Sequence, residues 1–290
     1  MTVPFHTLVF SGLTGLAAIA IAVASVVVAG PAEDPTDLVV LPAASFSYRG
    51  AGEFLLDGQP VNPPLVSVAF DRPIAIMKHH VSRADYERCV ATAACRPLDS
   101  RPPANADRVP AVGVSWHDAI AYAAWLSRET GYRYRLPTDE EWAYAAASLF
   151  HDNAVVEASD AANPATRWIA TYERTAASAR KLDSRPQPFG TFGVNDNGLA
   201  DVAGNVWDWT STCFARHAAG KRGSLREMEI CGVRVVEGAH RTYLADFVRD
   251  PRGGACSVGT PPSNLGIRLV RDDDRGLIGR LAGLLRRLTA

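Results

Sequence analysis

The stretch DVAGNVWDWTS, residues 201 to 211, constrains this chain more than any other. A Gly-Asn pair makes a tight corner, Asp201 and Asp208 bracket it, and Trp207 and Trp209 stand either side of the second acid. Carboxylates wrapped in indole need a cation or a set of hydrogen-bond donors, because a buried charge without a partner is costly. Asp201 and Asp208 are hard oxygen ligands, and the turn carbonyls of Gly204 and Val206 would add two more. That is the ligand chemistry of calcium and not of a soft metal. The alternative is a metal-free corner in which Asp201 caps backbone amides. Catalysis by the two acids is the least supported reading, since the tryptophans and the turn close the site.

A chain of 290 residues with 47% hydrophobic content is able to bury a sizeable core. Thirty basic against 31 acidic residues leave a net charge of −1, which gives no electrostatic pull toward nucleic acid. The uncharged run Leu8 to Gly30 is long enough to cross a bilayer as a helix. Its leader MTVPFHT lacks the basic residues of a signal peptide, although AVAS at Ala22 to Ser25 offers a cleavage pattern; an uncleaved anchor is favoured over a cleaved signal. Glu33, Asp34 and Asp37 follow, with no Lys or Arg before Arg49, which puts the body on the non-cytoplasmic side. The expectation is a periplasmic or extracytoplasmic protein held at the inner membrane.

Four segments result: an anchor or signal at 1–30, a Pro/Ala/acidic linker at 31–37, one loop-rich domain at 38–272, and a basic tail at 273–290. In the tail, Leu277, Ile278, Leu281, Leu284, Leu285 and Leu288 share a helical face opposite Arg275, Arg280, Arg286 and Arg287. Such a helix lies on an anionic membrane or docks on its own domain or a partner. Within the domain, Ser82 with Asp85, Ser115 with Asp118 and Thr138 with Glu141 mark three capped helix starts. Gly131 stops the second helix, whose Ala119, Tyr122, Ala123 and Leu126 recur at helical spacing. LVSVAF, GVRVVEG and LGIRLV read as strands, so the class is α+β. In an exported domain the close spacings predict two local disulfides, Cys89 with Cys95 and Cys213 with Cys231, leaving Cys256 odd.

Three segments carry a resemblance: PAVGVSWHDAIAYAAWLSRETGYRYRLPTDEEWAYAA (110–146), GLADVAGNVWDWTS (198–211) and PPSNLGIRLVRD (261–272). In sequence, order and spacing they resemble the formylglycine-generating enzyme or sulfatase-modifying-factor family over roughly Leu38 to Asp272. The resemblance implies a compact mixed fold related to C-type lectin domains, poor in regular structure. It also implies that Asp201, Gly204, Val206 and Asp208 match a structural calcium loop, with Asp208 in place of the more common Glu. Arg135 and Glu141 of RLPTDEEW could form a buried ion pair, with Trp142 as an anchor, so that segment serves packing.

Copper-dependent relatives oxidise a client cysteine to formylglycine with two thiolates, ligands that suit Cu(I). The matching interval of this chain holds Cys256 alone, with His240 and Ala245 near the positions of the pair. Copper oxidase chemistry is therefore not carried over, and His79, His80 and His117 supply no transition-metal set. Arg241, Arg249 and Arg252, interleaved with Asp246 and Asp250, suggest a cleft near Trp116 and Trp209 for a carboxylate or peptide, or else a solvated loop of neutralising charges.

The reading is an exported, divergent, NirV-like bacterial member that binds a client protein or peptide and assists its maturation; relatives of this kind include one type involved in siderophore maturation. Two alternatives stand beside it: an oxidoreductase using His240, Cys256 or a captured cofactor, and a non-catalytic lectin-like binding module. Whether the chain is an enzyme stays open at this point.

Overall fold

The computed structural model describes residues 36–152, 169–170, 173, 185–220, 225–251 and 264–272. The apolar run Leu8 to Gly30, most of the linker, Arg252, Cys256 and the basic tail lie outside the described residues. Among the described residues no helix is long and apolar enough to cross a membrane.

The chain opens with β1 (Leu38–Leu41), β2 (Ser45–Arg49), β3 (Glu53–Leu56), β4 (Gln59–Pro60), β5 (Leu65–Ala69) and β6 (Ile74–Met77). Then come α1 (Arg83–Ala91), α2 (Trp116–Thr130), β7 (Arg133–Arg135) and α3 (Asp139–Ala146). The long strands β8 (Trp207–Ala219) and β9 (Leu225–Glu237) precede β10 (Thr242–Ala245), β11 (Leu265–Gly266) and β12 (Val270–Asp272).

Helices α1, α2 and α3 start where their capping residues place them. Ser82, Ser115 and Thr138 accept the N–H groups of Asp85, Asp118 and Glu141, and the last two pairs close reciprocally as full capping boxes. Gly131 ends α2 in the left-handed region at φ 75°, where a Cβ would be strained. The predicted α2 stripe is buried: Ala119, Tyr122, Ala123 and Leu126 pack with Tyr86, Leu136 and Trp209. Cys89 and Cys95 are bridged with Cα atoms 5.3 Å apart, pinning the end of α1 to this core.

Two main sheets organise the molecule. One runs β1-β6-β12-β7; the other runs β10-β9-β8-β3-β4 with β11 added beside β8, while β2 and β5 form a separate pair. LVSVAF is thus the largely exposed β5, and GVRVVEG is the inner half of β9. LGIRLV departs from the single strand expected of it. Its first half, β11, pairs with β8, and its last residue begins β12 against β6 and β7. Between them the carbonyls of Ile267 and Leu269 accept the N–H groups of Val81 and Met77. One segment therefore bridges both sheets, and Arg268 sits fully buried at the junction. The α+β expectation, with mixed sheets and few helices, matches what is observed.

Candidate functional site

The corner at residues 201 to 208 is a clamp. Asp201 and Ala203 take left-handed φ values of 57° and 63°, which turn the chain sharply enough to aim the Asp201 carboxylate back at a neighbouring loop. Its two oxygens accept the N–H groups of Gly190 at 2.7 Å and Phe192 at 2.8 Å. Asn205 completes the clamp by accepting from the Gln187 N–H at 2.9 Å and donating to its carbonyl at 2.7 Å. A Cβ at Gly204 would stand 2.5 Å from the Phe192 ring, so only glycine allows this approach.

Asp208 lies on the other side of the turn, 1% exposed. Its Oδ2 accepts from Trp142 Nε1 at 2.9 Å and Arg268 Nε at 3.2 Å, and His80 Nε2 stands 3.2 Å from Oδ1. The Arg268 fork is fixed in turn by the carbonyls of Met77, Lys78 and Ala200 at 3.0, 2.6 and 2.9 Å. Burial pushes the Asp208 carboxyl up, but the charges of His80 and Arg268 with their hydrogen bonds outweigh it and hold the group at about 2.

These residues do not fit calcium as arranged. Both Asp201 oxygens are occupied by amides, the metal-free alternative, and Asp208 faces the Arg268 guanidinium, which would repel a divalent ion. A calcium site saturated 100-fold above its Kd would add about 2.7 kcal/mol to stability. Chelation with EDTA is therefore expected to leave the thermal midpoint unchanged, and a fall of several degrees, reversed by calcium, would restore the ligand reading.

A second buried charge centre joins α3 to the end of β9. Arg241 donates to Glu237 Oε1 and Asp139 Oδ2, both at 2.8 Å, and to the Arg49 carbonyl at 3.0 Å. Tyr48 Oη also donates to Asp139. Arg241, expected as a cleft cation, is 2% exposed and is therefore a core residue. Arg249 is corrected likewise: it grips Asp118 through two bonds of 2.8 Å and so braces the α2 capping box. Arg241 and Arg249 turn inward because acids on α2, α3 and β9 await them. Arg135 and Glu141 form the expected ion pair through two bonds of 2.6 Å, with Arg135 half-buried and not fully buried. His240 stacks edge-on against Trp207, with Nδ1 2.9 Å from the Arg241 carbonyl.

The outward-facing chemistry lies elsewhere, around Trp116. Its indole donates to the Thr210 carbonyl at 3.0 Å, and the Arg234 guanidinium lies 4.0 Å from its ring centroid. Arg234 also donates to the Ser211 carbonyl at 2.9 Å and contacts Cys213 Sγ at 3.1 Å. The Trp116 N–H donates to the Asp246 carbonyl, and His117 Nε2 stands 3.3 Å from the Asp246 carboxylate. Phe247 follows, 72% exposed. Cys213 and Cys231 are bridged as expected, with Cα atoms 4.5 Å apart. Half-buried aromatic surface beside a guanidinium and a carboxylate suits a peptide more than a small apolar ligand.

Of the residues expected to form a cleft, Trp116 and Asp246 contribute to this surface, and Arg252 lies outside the described residues. Sequence reasoning missed Arg234, which was legible only as one charge inside a β-branched run. It also missed Arg268 and His80 as the partners of Asp208; the signal for Arg268 was a single cation in the apolar stretch LGIRLV.

A family model for the sulfatase-modifying factor enzyme 1-like domain matches residues 23–273. The chain belongs to that family. Among curated members of the sulfatase-modifying-factor family, the formylglycine-generating enzyme of Streptomyces coelicolor is 30% identical over 177 residues, covering 57% of this chain and 53% of that protein. The inactive C-alpha-formylglycine-generating enzyme 2 of Mus musculus is 32% identical over 174 residues, covering 58% and 50%. The chain spans about half the length of these curated relatives. The solved structure of PvdO from Pseudomonas aeruginosa is similar at 27% identity with a TM-score of 0.51, covering 84% of this chain and 97% of that one. A two-thiolate copper site does not fit the residues present. Cys89, Cys95, Cys213 and Cys231 are joined in pairs, which leaves Cys256 as a single sulfur. Among the described residues one cluster of three His, Cys, Asp or Glu groups converges, Cys213, Glu229 and Cys231, and its sulfurs are bonded to each other.

Proposed function

We propose that this chain is an exported member of the family that binds a client protein or peptide and assists its maturation without copper thiolate chemistry. One observation carries the reading: four of the five cysteines are paired in disulfides while the scaffold of capping boxes and the Gly-Asn corner is retained. Disulfides persist in oxidising compartments, which supports export. The apolar run Leu8 to Gly30 supports attachment at the outer face of the inner membrane, and the basic tail supports a second contact there. A relative named as inactive is in keeping with a non-catalytic member.

The client surface in this proposal is Trp116, Arg234, Asp246 and Phe247. Exposed aromatic anchors dominate such interfaces, and truncating one costs about 2 kcal/mol or more of binding. Phe247→Asp should therefore reduce recovery of exported partners in a pull-down roughly thirtyfold, with the thermal midpoint unchanged. Equal recovery would remove the surface from consideration. The chemistry is tested separately: purified protein with copper and a sulfatase-type cysteine peptide should yield no aldehyde by mass spectrometry. A stoichiometric aldehyde product would instead make the chain an oxidase.

A further inference from the structure

The two disulfides of this chain sit in opposite environments. Cys89 and Cys95 are 0% and 5% exposed inside the main core. Cys213 is half-buried, and Cys231 is exposed. A thiolate in solution therefore has access to the second bridge and not to the first.

The strand ladder around that bridge is already broken. Cys213 pairs with Arg234 and the next residue, Phe214, pairs with Ile230, so β9 carries three extra residues, Cys231, Gly232 and Val233, at this point. A further irregularity on β8 separates the Trp209 pair from the Cys213 pair. The disulfide crosses a gap between two bulges where regular ladder bonds are interrupted. Opening it need not unzip the flanking pairs, Trp209 with Val236 on one side and Ala215 with Glu229 on the other.

Charge distinguishes the two sulfurs. The Arg234 guanidinium contacts Cys213 Sγ at 3.1 Å, a charge-assisted contact that stabilises a thiolate at that atom. Stacking on Trp116 and the bond to the Ser211 carbonyl fix Arg234 in place, so the cation is preorganised. The Glu229 carboxylate lies within 4.8 Å of both sulfurs and disfavours negative charge, which makes the contact at Cys213 decide where a thiolate settles.

We propose that Cys213–Cys231 is a thiol-exchange site whose substrate is a cysteine-bearing peptide. A client thiol that has lost its proton to solvent attacks the exposed Cys231 Sγ. A new S–S bond forms between client and Cys231, the Cys213–Cys231 bond breaks, and the electron pair leaves on Cys213 as a thiolate beside Arg234. A second client thiolate then attacks the client sulfur of the mixed disulfide and displaces Cys231. The client dithiol is oxidised to a disulfide, and Cys213 and Cys231 are reduced to two thiols, one equivalent per chain. The exchange needs only a thiol, so it stands or falls separately from the client surface at Phe247.

The test uses reduced glutathione on the native protein, with iodoacetamide quenching and peptide mass spectrometry. The expected early product carries glutathione on Cys231 and a carbamidomethyl group on Cys213, with Cys89–Cys95 intact. Arg234→Gln should slow its formation roughly tenfold, and Arg234→Lys should restore most of the rate, because the lower the leaving thiol's pKa the faster it departs. Near-UV circular dichroism checks that each variant keeps the native fold, and the position of glutathione in the wild-type protein decides the matter even if a variant does not fold. Glutathione on Cys213, or equal resistance of both disulfides, would overturn the proposal. An unchanged rate in a folded Arg234→Gln protein would overturn the role given to the guanidinium.

Discussion

Replacing Arg241 with Met is expected to destabilise the protein by about 3–5 kcal/mol, because it strips the cation from a buried acid pair. Asp139 and Glu237 are 0% and 1% exposed, and Arg241 bonds to both. Asp139 Oδ1 and Glu237 Oε2 have no other hydrogen-bond partner, yet Glu237 lies within hydrogen-bonding reach of Asp139. With the proton kept on Glu237, the triad carries one cation and one anion and is neutral. Burial first, and then the Asp139 charge, push the Glu237 carboxyl well above its usual range against the pull of Arg241. The sign follows: above the ordinary value of 4.5 the unfolded chain loses this proton while the folded one keeps it, so stability falls as pH rises toward the folded value. Glu237→Gln should remove that slope and leave the protein at least as stable at pH 8. Urea unfolding followed by tryptophan fluorescence reads both effects. A small loss in Arg241→Met, under about 1 kcal/mol, would mean that the two acids do not depend on the Arg241 charge.

What the sequence disclosed was local. Each helix start depends on a residue and its partner three positions on, and each disulfide closes a separation of only 6 or 18 residues, so spacing alone was sufficient. The charge centres depend on distant partners: Arg241 meets Asp139 102 residues away, and Arg268 meets Asp208 60 residues away. A run of arginines between acids looks the same whether it lines a groove or plugs a core. For that reason the 240–250 loop suggested a cleft and proved to carry two structural cations. The Gly-Asn corner was legible as a closed site, but its content depended on which groups the fold brings to Asp208. His80 and Arg268 arrive from the ends of different strands, and no pattern near residue 208 announces them. Arg268 follows the same logic as the broken LGIRLV strand: one charge in an apolar run interrupts the ladder where it turns inward to find its acid.

That acid carries the second large effect. Asp208→Asn keeps the shape and an acceptor for Trp142 but leaves Arg268, itself 0% exposed, without its counter-charge, at a cost of about 3–5 kcal/mol. The same pair sets an acid limit on stability. Since the Asp208 carboxyl is held at about 2 in the fold against 3.8 ordinarily, its contribution is complete above 3.8 and disappears as pH falls toward 2. The difference corresponds to about 2 kcal/mol, so that step should be present in the wild-type acid titration and missing from Asp208→Asn. Arg268→Met alone should be as damaging as the Asp208 variant, because it strands the carboxylate. The double variant should lose less than the sum, since neither charge then stands unpaired. Strict additivity in that cycle, measured by urea unfolding at pH 7, would mean that the two groups do not stabilise each other and that the corner is held by its backbone bonds alone.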